Sequence, residues 1–357
     1  MKLSQLLVNL AFVSNKPTGI TTYANNLIPH LQKLQPTLLS ARQIDDSACY
    51  PVAANLTPDE GSKGHFRRLR WTQFQLPQIY KQLRSHLLFS PIPEAPLFTN
   101  CRYIVTVHDL IPLRFAQKSP LTLYSRYYVP QVLAQAQHII CNSTATAQDI
   151  TRFFGVAASK ITPILLAHDA QHFRWLNLPQ QNYFLYIGRQ DPYKNLQRTI
   201  AAFAAMPNCR DYQLWLAGSF DSRYTPTLKA LIDNLGITEQ VKLLDYVAYS
   251  QLPIIINGAI ALVFPSLWEG FGFPVLEAMA CGTPVITSNI SSLPEVAGDA
   301  ALLVDPDNTE EISAAMQEIT NSEQMRSHLR ELGLTRASEF SWEKTGQATV
   351  EVLSRYL

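Results

Sequence analysis

Residues 268–284 read Trp-Glu-Gly-Phe-Gly-Phe-Pro-Val-Leu-Glu-Ala-Met-Ala-Cys-Gly-Thr-Pro, and the fold follows from how this stretch joins its neighbours. Ahead of it, residues 260–264 are a continuous apolar run of strand length. Gly270 and Gly272 give a loop whose backbone can approach a ligand closely. Pro274 suits the first turn of a helix and Gly282 its C-terminal cap. A strand, a glycine loop and a helix start make a site for a polar or anionic ligand, because the first amides of a helix lack partners. Two carboxylates, Glu269 and Glu277, stand eight positions apart across that junction. Gly-x-Gly also opens a dinucleotide fingerprint, but Val275 holds the third glycine's place and the element comes late in the chain. A Gly-Pro turn with two solvated glutamates fits the same residues. Taken alone, the stretch leaves these readings open.

The rest of the chain narrows them. At 357 residues it is too long for one ordinary core and fits two domains. With 47% hydrophobic and 16% charged residues it reads as globular, and no apolar run is long enough to span a membrane. Met1-Lys2-Leu3-Ser4 lacks a signal-peptide cleavage pattern. Five scattered cysteines show no zinc spacing and suggest reduced thiols, so the expected location is the cytoplasm. The net charge of +1 hides an asymmetry: residues 1–165 carry 16 Lys+Arg against 7 Asp+Glu, and residues 166–357 carry 13 against 21. A basic first half can face an anionic membrane surface or a phosphorylated acceptor, or can simply attract the acidic half.

Strand-like runs alternate with helical patterns. In the first half the expected strands are residues 6–13, 87–89, 103–107, 138–141 and 161–166, with helices at 22–34 and 121–136. In the second half the strands are 183–187, 213–217, 241–244, 260–264, 284–287 and 301–304. Helices at 196–205, 226–235, 252–257 and 274–281 separate these. Such alternation predicts an α/β protein with two doubly wound, Rossmann-like parallel sheets, whose ligands sit beyond the strand C-termini, in a cleft between domains. Residues 168–181, mixing Asp, Asn, Gln and Pro, read as the linker. That gives domains at 1–167 and 182–340, with a final helix at 341–357 returning to the first domain. Two further helices, 310–319 and 323–334, precede it.

Three other segments carry chemistry. Gly188-Arg189-Gln190-Asp191-Pro192-Tyr193-Lys194-Asn195 follows the first strand of the second half, and Arg189 and Lys194 together can neutralise a diphosphate. The only Asp-x-Asp, Asp305-Pro306-Asp307, lies in a turn after a strand, so the sequence does not require a metal ion. Val107-His108-Asp109-Leu110-Ile111-Pro112 ends a strand, and a neutral His108 suits a sugar hydroxyl. Asp109 can orient His108, act on an acceptor, or cap the turn. Thr18-Gly19-Ile20-Thr21-Thr22 joins the first strand to the first helix; Gly19 permits close backbone approach and Thr21 or Thr22 can cap the helix. The most basic patch, His65-Phe66-Arg67-Arg68-Leu69-Arg70-Trp71, reads as a membrane-surface or acceptor-binding helix, or as an ordinary solvated face. A nucleic-acid role is disfavoured by the near-neutral chain and the absence of a binding motif.

Gly19-Ile20, His108-Asp109, Arg189…Lys194 and Glu269…Glu277, with Ser291-Ser292-Leu293-Pro294-Glu295-Val296-Ala297-Gly298-Asp299-Ala300 beyond them, occur in an order that resembles the retaining family-4 glycosyltransferases of the GT-B fold. The resemblance covers nearly the whole chain and is closest to bacterial mannosyltransferases of surface-polysaccharide synthesis. It implies GT-B architecture and transfer of a hexose, mannose from GDP-mannose, to a glycan or lipid-linked acceptor. Relatives in the same family use UDP-glucose, UDP-N-acetylglucosamine or GDP-fucose, and a non-catalytic sugar-nucleotide binder is the rival class. By the resemblance, Arg189 and Lys194 hold the diphosphate, Glu277 the ribose hydroxyls, and Glu269 with the amides of Gly270, Phe271 and Gly272 the donor sugar. His108 bonds that sugar from the opposite domain, Tyr246 and Val247 lie near the base, and Gly19 lines the donor site. No cofactor or metal is implied, the sugar nucleotide being a co-substrate. The enzyme is expected in the cytoplasm, peripheral at the inner face of the membrane.

Overall fold

The computed structural model describes residues 5–14, 18–44 and 47–357, so the reading of Met1-Lys2-Leu3-Ser4 lies outside the described residues. The chain forms two compact units, Met1–Leu166 with Ser341–Leu357, and Ala167–Phe340.

The first unit holds β1 (Leu6–Asn9), β2 (Thr37–Ser40), β3 (Ala48–Pro51), β4 (Leu87–Ser90), β5 (Tyr103–Val107), β6 (His138–Cys141) and β7 (Ile161–Pro163). They pair in parallel in the order β3-β2-β1-β4-β5-β6-β7. The second holds β8 (Tyr183–Ile187), β9 (Gln213–Ala217), β10 (Val241–Leu244), β11 (Ala261–Phe264), β12 (Val285–Ser288) and β13 (Leu302–Val304), parallel in the order β10-β9-β8-β11-β12-β13. Helices covering both faces bury the strands, which is why they read as unbroken apolar runs. Leu7, Leu88, Val105 and Ile139 are inaccessible in one sheet, as are Leu185, Leu262, Val263 and Ile286 in the other. Each such side chain contributes about 1.5–3 kcal/mol of transfer free energy on burial.

In each sheet the strand order reverses once, at β1/β4 in the first and at β8/β11 in the second. Ligands of open α/β sheets bind outside the strand C-termini at such a reversal. The loops after β1, β4, β8 and β11 therefore matter most.

Several elements differ from the sequence reading. The first strand stops at Asn9 rather than residue 13, because the Asn9 carboxamide turns the chain, accepting from the Ala11 amide at 3.2 Å. β2 and β3 were not foreseen; each has four residues, and those of β3 are half-buried or exposed, so neither carries a long apolar signal. Residues 164–166 leave β7, although the Ile164 amide still bonds the Cys141 carbonyl at 2.7 Å. The stretch 121–136 begins at Pro120 and passes through a π-helical turn at Tyr124–Tyr128.

Residues 168–181 are not a free tether. Phe173 is buried, and the Asn257 side chain accepts from the Leu176 amide at 2.7 Å and donates to the Arg174 carbonyl at 3.0 Å. The segment is packed into the second unit, whose boundary falls at Ala167. The helices Thr309–Asn321 and Glu323–Ser338 also belong there, whereas Trp342–Ser354 belongs to the first unit. In that last helix Thr345 donates to the Leu165 carbonyl at 2.7 Å. Gly346 lies so near the helix Gly19–Leu31 that a Cβ there would stand 2.2 Å from His30 Cγ.

Candidate active site

In the second unit the loop after β8 is shaped by backbone conformations that few residues adopt. Gly188 has φ +149°, and Asn195 sits in the left-handed region at φ +64°. Gly218, at the end of β9, approaches so closely that a Cβ would stand 2.0 Å from the Gly188 carbonyl oxygen. The Asn195 carboxamide is buried and donates to the carbonyls of Pro265 (2.9 Å) and Pro306 (2.7 Å), tying the β8 loop to the loops after β11 and β13. With that tie in place, Lys194 Nζ donates to Glu269 Oε1 at 2.6 Å, both side chains being largely buried. The ammonium also lies 5.2 Å from the Phe264 ring centre and 5.3 Å from that of Tyr193. An ammonium has three donors, so engagement of one by Glu269 orients the group and leaves two for a ligand.

Arg189 comes from the same loop but is 76% exposed. Its Nε stands 3.0 Å from Asp191 Oδ2 and its terminal nitrogen donates to the Tyr193 hydroxyl at 2.9 Å. Asp191, which motif reading passed over, thus aims the guanidinium.

The loop after β11 is latched from the β12 side. Ser292 donates to the carbonyls of Glu269 (3.1 Å) and Phe271 (2.8 Å), and the Glu269 amide donates to Ser291 Oγ at 3.3 Å. Gly270 and Gly272 are buried. Gly272 caps the helix Phe273–Ala280 at φ +113°, where any side chain is strained and a Cβ would push Leu293 Cδ2 from 2.7 Å. Phe271 anchors the loop by its ring, 5.3 Å from that of Phe273 and 6.2 Å from that of Phe340.

Glu277 lies on the second turn of that helix. Its carboxylate has no hydrogen-bond or ion-pair partner among the described residues, and burial pushes its pKa up to about 8. The Tyr249 hydroxyl and the Cys281 thiol lie near enough to feel its charge. The residue is half-buried, so the carboxylate, without a protein donor, is open to one from a ligand.

Tyr246 and Val247 follow β10. Tyr246 is 70% exposed, so its own unit leaves it at the surface.

In the first unit, His108 is held at the end of β5. Its Nε2 stands 2.8 Å from the Pro91 carbonyl and its ring meets Tyr23 edge-on at 4.9 Å. Tyr23 is in turn bonded to Thr106 at 3.1 Å. A carbonyl only accepts, so the proton sits on Nε2 and Nδ1 is an acceptor. Burial pushes the His108 pKa down to about 4, which keeps the ring neutral. Asp109 is exposed and its Oδ1 accepts from the Ile111 amide at 3.0 Å, a contact that closes the turn. The first helix is capped by Thr18, which accepts from the Thr21 amide at 3.2 Å, not by Thr21 or Thr22. Gly19 is exposed in its first turn.

The basic patch lies on the helix Gly61–Phe74 but is not one solvated face. Arg67 pairs outward with Glu60 at 3.4 Å, whereas Arg68 is buried and forks onto Glu94. Among the described residues no helix is long and apolar enough to cross a membrane, and no group of three His, Cys, Asp or Glu side chains is placed to hold a metal ion.

Two family models together match residues 17–335: "Glycosyltransferase Family 4" over residues 17–171 and "Glycosyl transferases group 1" over residues 168–335. The O-antigen chain mannosyltransferase B of Escherichia coli is 31% identical over 264 residues, covering 70% of this chain and 69% of that protein. The chain belongs to the family-4 glycosyltransferases. The O-antigen chain mannosyltransferase RfbU of Salmonella typhimurium is 27% identical over 88% of this glycosyltransferase and 90% of its own length. Among solved structures, sucrose-phosphate synthase from Thermosynechococcus elongatus matches with a TM-score of 0.78 at 18% identity, covering 98% of each chain. Anabaena HepE in complex with UDP-glucose matches with a TM-score of 0.76 at 18% identity, over 98% of this chain and 99% of that one. These likenesses identify the fold as GT-B.

Proposed function

We propose that this glycosyltransferase is a retaining, metal-independent mannosyltransferase that moves mannose from GDP-mannose to a glycan or lipid-linked acceptor in surface-polysaccharide synthesis. The observation that carries the proposal is the Lys194–Glu269 pair at the β8/β11 reversal, with the unpartnered Glu277 on the following helix. Lys194 and Arg189 supply the positive charge that a leaving diphosphate needs as the sugar bond breaks. The two ribose hydroxyls are the paired donors that the Glu277 carboxylate lacks. Glu269, with the amides of Gly270, Phe271 and Gly272, holds the sugar, and His108 offers its neutral ring to a sugar hydroxyl. Tyr246 and Val247 serve the base, and Gly19 the loop beside the donor. Mannose is favoured by the mannosyltransferases among the relatives.

Retention by double displacement needs a carboxylate free to attack the anomeric carbon. Glu269 is held by Lys194, which suits positioning rather than attack. Same-face departure and attack through an oxocarbenium-like state follows, the leaving phosphate taking the acceptor's proton. A covalent sugar adduct trapped on Glu269 contradicts this. The first unit takes the acceptor, and its basic surface suits a lipid-linked one at the inner face of the membrane, reached from the cytoplasm.

The test is heat unfolding with GDP-mannose, UDP-glucose, UDP-N-acetylglucosamine and GDP-fucose in turn. A bound donor raises the midpoint with concentration, by about 2.7 kcal/mol of stability at a hundred times its dissociation constant. GDP-mannose is expected to give the largest shift. If none of the four shifts the midpoint, the transferase reading fails at its first step.

A further inference from the structure

Beyond the C-termini of β1, β4 and β5, the first unit contains a cavity of about 310 Å³. It lies at the β1/β4 reversal, where a sheet of this kind binds ligand. Its size is at the low end of small-molecule sites, room for one ring-sized molecule. Ile92, Pro93, Leu110 and Val129 give it apolar walls, and His65, Arg68, Glu94, His108, Tyr124 and Ser125 give it polar atoms.

The polar atoms form one network. Arg68 Nε and a terminal nitrogen each donate to one Glu94 oxygen at 2.8 Å. Its other terminal nitrogen donates to the Leu56 carbonyl at 2.9 Å, and His65 Nδ1 stands 2.9 Å from the guanidinium. A guanidinium only donates, so Nδ1 accepts, His65 is neutral, and its proton sits on Nε2. Desolvation pushes the His65 pKa down, in the same sense. Tyr124 donates to the Pro93 carbonyl at 3.2 Å and meets His65 edge-on at 5.0 Å.

Arg68 is the one Lys or Arg among the residues lining the cavity, and its charge is cancelled by Glu94. Asp109 at the rim leaves the lining with a net negative charge. A phosphate or carboxylate entering here finds no free guanidinium and two carboxylates. A neutral pyranose instead finds apolar walls for its ring, with an acceptor at Glu94 and a donor at His65 Nε2. Fold stability alone does not call for the pair, since well-packed apolar side chains do as well in place of a buried ion pair.

We infer that the Arg68–Glu94 pair makes this cavity a subsite selective for an uncharged sugar ring, turning away phosphorylated and carboxylated ones. This rests on the reading that the first unit takes the acceptor. Glu94 and Arg68 are then specificity-determining residues, and the ring they accept is the neutral terminal sugar of the acceptor.

The experiment uses the full chain without nucleotide and saturation-transfer NMR. The probes are the methyl glycosides of mannose, glucose and galactose, each beside its 6-phosphate. Titration with GDP in a separate arm tests the second unit, so loss of GDP binding sinks the donor proposal without touching this one. At least one neutral glycoside is expected to bind about tenfold or more tightly than its phosphate, the scale of one well-placed charge interaction. Glu94→Gln keeps the shape but leaves the guanidinium uncompensated, and should bring the phosphate level with the neutral ring or above it. A purely structural pair would lower the unfolding midpoint and leave that ratio alone. Leu121→Trp, at the exposed lip of the cavity, should abolish glycoside binding while GDP binding persists. Preference for the phosphates in the wild type, an unchanged ratio in folded Glu94→Gln, binding of no probe, or unaltered glycoside binding in Leu121→Trp each overturns the inference.

Discussion

Glu277 is where structure and function pull apart most clearly. An acid whose folded pKa is raised binds its proton more tightly folded than unfolded. It therefore costs stability progressively as pH rises from its unfolded value of 4.5 to about 8. Glu277→Gln should raise stability at pH 8, where the half-buried carboxylate is ionised at a cost, and change little at pH 4. The same variant should bind GDP at least about tenfold more weakly. Unfolding midpoints at the two pH values, with a GDP titration, check both; an unchanged midpoint at pH 8 contradicts the account. His108 has the opposite sign. Its folded pKa is lowered from 6.5 to about 4, so its contribution to stability is fully present above pH 6.5 and is lost as pH falls toward 4. An NMR titration of the ring should show a midpoint near 4, and a midpoint near 6.5 would mean the site is wetter than described. At this scale His108, Arg189 and Glu269 stood out because each lies in the loop that follows an apolar strand. Glu94 follows β4 in the same way, yet its meaning lies in Arg68, twenty-six positions earlier, and nothing in the sequence shows that pairing.

At the scale of elements, the loop from Glu269 to Gly272 depends on its latch. Ser292 makes two hydrogen bonds into it, and replacement by alanine leaves two buried carbonyls without that donor. Ser292→Ala should cost about 1–3 kcal/mol of stability and lower turnover more than it weakens GDP binding, because it loosens the carbonyl of Glu269 and not the helix that carries Glu277. Turnover and GDP affinity falling together would place the latch elsewhere. Strands and helix starts in the second unit were readable to within a residue or two, because fully buried parallel strands leave unbroken apolar runs and Pro274 and Gly282 punctuate the helix. β2 and β3 were not, both being short and β3 lying at the sheet edge. The helix Thr144–Phe154 also went unread, although Ser143 caps it and Gly155 ends it at φ +66°. The cap of the first helix was misplaced by three or four residues because Thr18, Thr21 and Thr22 offer the same chemistry, and only backbone conformation selects among them.

At the scale of the molecule, each unit has its own core, and the final helix belongs to the first. Gly346→Val forces that helix off His30 and should lower the first unit's protection from hydrogen exchange while the second unit keeps both its protection and its GDP affinity. Equal loss in both units would mean that they unfold as one. The two-unit α/β plan was legible from alternation alone, whereas the packing of residues 168–181 into the second unit depends on Asn257 and Phe173, which no linker-like composition discloses. We propose that the chain breaks the bond between mannose and GDP and keeps the sugar's configuration. The most direct measurement is proton NMR of GDP-mannose incubated with the protein, following which mannose anomer is released to water first. The α-anomer, formed faster than mutarotation scrambles it and lost in Glu269→Ala, is the result expected; β-mannose as the first product, or a donor left intact, contradicts the account.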